Sequence, residues 1–531
     1  MYLIQQGEEM DLHGRRKIYT VYDEIDSLQK NEIIDEVNNA LMVHLQNLGE
    51  MRYLYKYRRG EQPILHRTKE VRPEINNKIV ENHAEEIVTF KNGYFLTQPA
   101  FYVARNEKAT KAVGELNEYL YRSGKQQADN KLVDTFHTVG KGILYVNSNS
   151  DEDVPYVAYA LDPMNAGVVY STSPGNEPVY AYHIVTLAEQ KARIDLITKR
   201  NVYRLTGGYV TKNPESAHPT TVLMVDGIEG FEPNRLGEVN IIEYYYNSTC
   251  MSSFEAVVPL MDELNSIISN RCDGIEQFVQ SLCVAINCNF EEGVTANEIR
   301  QAGMLVLKNF GEQRAEFKVL SEQLDQTQTQ VTKEDLLESA LEILAIPNRE
   351  SSASGDTGSA VRGRNGFDVS RMRAGIRDAY VIEGEMKFAE LTLNTLAIDG
   401  LNLGLTLNDF EVQVTHDMTD AVMTKAEALK MLLESGIHPL LAFKITGLFN
   451  DPEKSYNISK PFLKAIYSDM DDNNSVATMN KKFDLFSKML SAGVNPDEAI
   501  KQLGMDETIV SNSPSMSKWD YKPDDTVEVI E

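Results

Sequence analysis

Residues Ser252–Leu282 read SSFEAVVPLMDELNSIISNRCDGIEQFVQSL. Phe254, Val257, Met261, Leu264, Ile268, Ile275, Phe278 and Leu282 recur there at helical spacing. A helix over this stretch is roughly 45 Å long at ~1.5 Å per residue. Pro259 stands near its start, so the first turns read as a separate piece. A short mixed module follows, with strand-like CVAINCNFE (283–291) and MLVLKNF (304–310) around TANEIRQAG (295–303). QLDQTQTQVT (323–332) reads as a polar joint. Thr332 then opens a second helix, TKEDLLESALEILAIP, with Asp335 at the spacing of a capping box and Pro347 as its stop. Two helices bracketing a small mixed module set the fold class as α+β, mainly α.

Upstream, Ile34, Val37, Leu41, Leu45 and Leu48 mark a helix. The stretch from Met51 to Pro73 is dense in Tyr, Arg and turn residues. INNKIVENHAEEIVTFKNGYF (75–95) reads as one helix whose buried face holds Ile75, Ile79, Val80, Ile87 and Phe90, with His83 on the same side. From about residue 137 to 246, runs such as GILYVNS (142–148), VPYVAYALDP (154–163), GVVYSTSPGNEPVYAYHIVT (167–186), NVYRLTGGYV (201–210), TTVLMVDG (220–227) and VNIIEYYYN (239–247) predict an antiparallel sheet region.

Downstream, NRESSASGDTGS (348–359) is a small, polar loop. It leads into a long segment whose helical stripe is clear from about Met372, weakened by Gly363, Gly366, Gly375 and Gly384. Arg362, Arg364, Arg371, Arg373 and Arg377 form a local basic cluster, suited to phosphate or to salt bridges between subunits. MLLESGIHPLLAFKITGL (431–448) is echoed by KMLSAGVNPDEAIKQLGM (488–505), which reads as one helix, glycine-stop, proline-start hairpin used twice. The acidic tail after Val510 reads as flexible.

The 531 residues carry a formal net charge of −27 at a pI near 4.8. That argues against a protein that wraps nucleic acid tightly, though not against one that lets it pass. Cys250, Cys272, Cys283 and Cys288 contain no C-x-x-C pair and read as reduced thiols. No run approaches the ~18 apolar residues of a membrane span, and the N-terminus lacks a signal-peptide core. Gly140-Lys141-Gly142 has no Ser or Thr after it, so it is not a phosphate-cradling loop. There is no H-E-x-x-H and no G-x-S-x-G. The run from Asp469 to Asn480 resembles a calcium loop but has Asn474 and Asn480 where Gly and Glu are needed. The residues alone describe a non-catalytic, multi-domain interaction protein, with no metal and no cofactor expected.

A series of short motifs narrows this. Tyr57 is followed by Gly60, Gln62, Ile64 and Leu65, then by Asn76, Asn77, Ile79, Val80, Asn82, Ile87 and Val88, and then by Gly93, Tyr94 and Pro99. Val139–Tyr145 is a glycine-rich strand opening, VGKGILY. Tyr246-Asn247 precedes Ser253, Phe254, Glu255, Asp262, Asn265, Ser269 and Asp273. Ser354, Gly355, Thr357, Gly358 and Ala360 form a loose small-residue joint. In this order, over about residues 50 to 450, they resemble the tailed-bacteriophage portal proteins of the long-tailed siphovirus type.

The resemblance implies a portal fold. Its wing would be residues 1–252, the first stem helix 253–282, the clip 283–331 and the second stem helix 332–346. A channel loop would follow at 347–357, then a long wing helix and further helices over 358–457. A helical crown at 458–510 and a flexible acidic tail at 511–531 would end the chain. The resemblance further implies a ring of about twelve subunits at one capsid vertex, assembled in the host cytoplasm and kept in the virion. Double-stranded DNA would pass through it. Its partners would be the packaging ATPase (terminase large subunit), the major capsid and scaffolding proteins, and a head-completion adaptor. Arg349, Ser351, Ser352, Ser354 and Gly355 would face DNA in the channel loop, and Arg362, Arg364, Arg371 and Arg373 would meet phosphate or a neighbouring subunit. The competing reading is a structural head or baseplate component that conducts no DNA. An acid-residue nuclease is disfavoured, because the carboxylates form no spaced ligand set.

Overall fold

The computed structural model describes residues 14–95, 100–106, 108–148, 154–187, 191–212, 220–279, 282–286, 288–289, 308–309, 316–320, 326–347, 367–414, 421–449 and 452–466. The chain divides into two units, Met1–Asp417 and Met418–Glu531.

The first unit opens with β1 (Ile18–Thr20), α1 (Lys30–Arg58), α2 (His83–Phe95), β2 (Phe101–Ala104), α3 (Thr110–Arg122) and α4 (Lys125–Val139). The strand-rich part follows as β3 (Lys141–Ser148), β4 (Tyr156–Leu161), β5 (Ala166–Ser171), β6 (Pro178–Thr186), β7 (Lys191–Thr198), β8 (Asn201–Lys212), β9 (Thr220–Pro233) and β10 (Ile241–Tyr245). After it come α5 (Val258–Val279), β11 (Leu282–Ile286), β12 (Cys288–Asn289), β13 (Lys308–Asn309), β14 (Glu316–Leu320), α6 (Gln326–Ile343), α7 (Phe367–Ile398) and β15 (Phe410–Gln413). The second unit contains α8 (Ala421–Glu434), α9 (Pro439–Thr446) and α10 (Pro452–Ile466). The class is α+β, mainly helical.

A six-stranded sheet runs β1-β5-β6-β7-β8-β9, and a three-stranded sheet runs β10-β3-β4. All pairings in both are antiparallel except β1 with β5. Successive strand residues point to opposite faces, which puts Val169 in the core beneath α1 while Val168 and Tyr170 enter the core shared with Ile143 and Ile241 of the smaller sheet. The other face of the smaller sheet packs on α4 and α7 through Leu132, Phe136, Leu144, Tyr244 and Phe388.

The sheet region is antiparallel, as the turn-punctuated runs predict. One run of the prediction, residues 167–186, divides into β5 and β6. Gly175 at φ +105 and Asn176 at φ +47 turn the chain between them. β1 and β7 are additional strands.

Three boundaries differ from expectation. Residues 75–82 are not helical, and the helix starts at His83. Gln326–Val331, expected as a joint, is the first part of α6. Thr332 therefore caps nothing: its hydroxyl donates to the Gln328 carbonyl, 2.9 Å away, from inside the helix. Leu282, expected as the last residue of the first long helix, is instead the first residue of β11, and α5 ends at Val279. The first turn does form a separate piece, a 3-10 turn at Glu255–Val257, and Pro259 lies in the opening turn of α5 that follows it. The calcium-like run from Asp469 and the second copy of the echo lie outside the described residues.

Candidate functional site

The α5–α6 pair, interrupted by the short β11–β14 and β12–β13 pairings, is tied to the rest of its unit at two places. The first is a strap along α5. Helix α1 ends where Gly60 takes φ +85, with Gly60 and Glu61 N–H donating to the Tyr57 and Lys56 carbonyls. Glycine enters the left-handed region without a Cβ penalty, which makes it the usual stop. Tyr57 stacks on Phe254 with 6.0 Å between ring centroids, and its hydroxyl donates to Asp262 Oδ1 at 2.8 Å. The buried Gln62 amide donates to the Tyr57 carbonyl and to Asn82 Oδ1, each at 3.2 Å, and accepts from Asn265 Nδ2.

Residues 75–82 then run extended along α5. Their backbone N–H groups donate alternately to side chains of that helix: Asn77 to Asp273 Oδ1 at 2.7 Å, Ile79 to Ser269 Oγ at 3.0 Å and Glu81 to Asn265 Oδ1 at 2.8 Å. Two extended residues advance ~6.6 Å and four helical residues ~6 Å, so the two repeats stay in step. The polar signature residues Asn265, Ser269 and Asp273 are buried acceptors that replace a sheet partner. This also explains why 75–82 is not helical: its donors are satisfied by α5 rather than by its own carbonyls. Burial would raise the Asp273 pKa, but hydrogen bonds from Lys69 and Asn77 outweigh it and hold the carboxyl below its ordinary value. Lys333 to Glu81 (2.6 Å) and Arg271 to Gln330 (2.7 Å) bring α6 into the same assembly.

The second place is the C-terminal end of α6. Ala345 takes φ +52, with its N–H on the Glu342 carbonyl and the Ile346 N–H on that of Leu341. This is a Schellman closure with alanine where glycine is usual. Pro347 follows it, so the helix stops before the proline that was expected to stop it. The last carbonyls face outward and need donors. Three side chains from two elements supply them: Lys91 Nζ of α2 reaches Leu344 O at 2.6 Å, while Ser370 Oγ and Arg373 Nη1 of α7 reach the Ala345 and Ile343 carbonyls. Arg377 lies 4.3 Å from the centroid of the Tyr246 ring. Burial, then the charges of Arg377 and Arg373, push the Lys91 ammonium down to about 7. Burial, then Arg377, Lys91 and Arg58, hold His137 well below its ordinary value.

Arg373 therefore caps a helix of its own chain, and Arg371 is exposed one turn from the start of α7. Arg349, Ser351, Ser352, Ser354, Gly355, Arg362 and Arg364 lie outside the described residues. The Ser370–Ala345 bond ties α7 to the end of α6, so the chain leaves and returns at this junction. Lys91 was missed in the sequence. Its signal was a lysine on the apolar face of Ala84, Ile87, Val88 and Phe95. Among the described residues, no group of His, Cys, Asp and Glu could hold a metal ion, and no helix is long and apolar enough to cross a membrane.

The comparison with curated proteins gives no match. Among solved structures the chain is similar to one described as the virion of a native gene transfer agent particle, with 12% identity and TM-score 0.38 over 75% of this chain and 94% of that one. It is also similar to the neck of an empty gene transfer agent particle computed with C6 symmetry, with 11% identity and TM-score 0.36 over 69% and 90% of the two chains. The neck of the native particle computed with C12 symmetry gives 12% identity and TM-score 0.34 over 69% and 89%. Residues 40–438, a span that includes the strap, the α5–α6 pair and both anchors, match the family model "Phage portal protein, SPP1 Gp6-like", and the chain belongs to that family.

Proposed function

We propose that this chain is the subunit of a portal ring of about twelve copies at one capsid vertex, through which double-stranded DNA enters and leaves the head. The observation that carries the reading is the α5–α6 pair. A chain that runs out along one helix, through a small strand module and back along a second helix can present that module at one end of a ring. The strap and the cap hold both helices to the larger body. The module (residues 283–325) would dock the packaging ATPase and later the head-completion adaptor. The larger body would meet the capsid and scaffolding proteins. Residues 347–357, between α6 and α7, would face the channel with Arg349, Ser351, Ser352, Ser354 and Gly355. Arg362, Arg364 and Arg371 remain candidates for phosphate or intersubunit contact.

The formal charge of −27 per copy suits a conduit. A wall rich in carboxylate repels phosphate and lets a duplex slide, whereas many lysine or arginine contacts would hold it. Electron microscopy of the purified full chain tests the reading. Rings with an open centre, and packaging lost in particles lacking this chain, are expected. Discs or fibres without a hole, in particles that still package DNA, would instead favour the non-conducting head component.

A further inference from the structure

The hairpin of α8 and α9 is echoed in sequence by residues 488–505, which provides a comparison inside one chain. In the first copy α8 ends at Glu434, Gly436 takes φ +79, Pro439 opens α9 and Gly447 closes it at φ +53. Leu433, Ala442 and Phe443 are its buried centre, with Leu432, Ile437 and Leu448 packed on them. The second copy, compared by sequence because residues 488–505 lie outside the described ones, keeps every one of these positions apolar: Leu490, Ala499, Ile500, Met489, Val494 and Met505.

The outward positions behave differently. Met431, Leu441 and Ile445 are 60%, 51% and 60% exposed. The second copy has Lys488, Glu498 and Gln502 at the same places. In the first copy these side chains lie outside the buried centre, so their apolar character is not something the core requires. Ile458 and Phe462, one turn apart on α10, add 63% and 70% exposed side chains to the same unit. Exposed apolar groups concentrated in this way mark a contact surface.

Charge indicates what covers it. Between residues 421 and 466 six lysines stand against four carboxylates, in a chain whose net charge is −27. The whole acidic surplus is therefore carried by the rest of the chain. This apolar, mildly basic segment is therefore where a second acidic copy is repelled least, and its apolar centre offers nothing to a phosphate backbone.

We propose that the face formed by Met431, Leu441 and Ile445, with Ile458 and Phe462 of α10, is buried against an adjacent copy of this chain. The inference deepens the ring reading and rests on it.

Two experiments on the full chain test it. In the first, Leu441→Cys is labelled with a maleimide in the ring and in the isolated subunit, with the wild type measuring the native thiols. Labelling at least tenfold slower in the ring is expected, and equal labelling overturns the proposal. In the second, Met431→Lys, Leu441→Glu and Ile445→Gln are combined, which installs the second copy's residues in the first. The subunit should keep its circular dichroism and unfolding midpoint, and assembly should need at least tenfold more protein. Assembly at the wild-type concentration overturns the proposal and leaves the face to another protein of the head. If the triple variant does not fold, the labelling experiment decides alone. If the wild type forms no closed ring at all, the ring reading fails first and this inference with it.

Discussion

Two single residues, Lys91 at the end of α6 and Gly140 between α4 and β3, carry measurable consequences for stability. Lys91 is buried and donates to a carbonyl rather than to a carboxylate in the bond described above. Its folded pKa is lowered to about 7 by burial and then by Arg377 and Arg373, against ~10.4 in an unfolded chain. Between those values the unfolded state binds the extra proton, so stability rises with pH across the window. The penalty is complete below about 7 and gone above the unfolded value. A shift of this size corresponds to a few kcal/mol, on the order of 3–5. Lys91→Met should flatten that dependence. Denaturant midpoints taken between pH 7 and 9.5 check it, below the range in which tyrosines titrate. An equal rise in wild type and variant would show that another group is responsible. Gly140 is the opposite case, a residue needed for what it lacks. It takes φ +89, and a Cβ there would meet the Cys250 carbonyl oxygen at 1.9 Å. That oxygen already accepts the Arg15 N–H. Gly140→Ala combines backbone strain with a collision against backbone, so a loss above ~3 kcal/mol is expected. Thermal unfolding of the variant, or its failure to accumulate as soluble protein, is the measurement.

At the scale of elements, the strap on α5 makes a graded prediction. Ser269→Ala leaves one buried donor, the Ile79 N–H, without its acceptor and should cost ~1–2 kcal/mol. Asn265→Ala deprives both the Glu81 N–H and Gln62 Oε1 of their partner and should cost more, about 2–3 kcal/mol. Urea titration of both variants gives the order. If the serine variant is the weaker of the two, the hydrogen-bonded ladder is not what fastens the strap. This element also marks the limit of sequence reading. The α5 stripe, the strand runs of 142–247 and the first hairpin with Gly436 and Pro439 were legible, because periodicity and turn residues act locally. The strap was not. Ile75, Ile79 and Val80 fit a helical stripe, and only the side chains of an element some 190 residues later turn the segment into an extended one. Gln326–Val331 failed for the converse reason: a polar run has no stripe to read, and its helix is fixed by contacts such as Arg271 with Gln330. β1 is three residues long and exists through parallel pairing with β5, which no local pattern announces. For the candidate site the sequence named the right motif residues but not their purpose, and Lys91 escaped because a lysine on an apolar face does not declare its acceptor.

For the whole molecule the dominant fact is charge. Each copy carries −27, and the proposed ring would place copies side by side. Like charges repel over a Debye length of ~30 Å at 0.01 M salt but only ~10 Å at 0.1 M. Apolar contact loses nothing to added salt and gains from strongly excluded ions. The exposed apolar side chains available for contact in the first unit include Ile343 at the end of α6 and Val369, Met372 and Ile376 on one side of α7. In the second unit they include Met431, Leu441 and Ile445 of the hairpin and Ile458 and Phe462 of α10. If copies meet mainly through such surfaces against a background of mutual repulsion, ring formation should strengthen as sodium chloride rises from about 10 to 150 mM, the range over which the screening length contracts. A tenfold fall in the protein concentration needed for half-assembly is the expected size. Sedimentation velocity at several salt concentrations reads it directly, and sulfate should act further in the same direction. An interface built from complementary ion pairs makes the reverse prediction, because salt would screen the attraction instead. Rings that fall apart on going from 10 to 150 mM would therefore place ion pairs, rather than apolar faces, at the centre of the contact between copies.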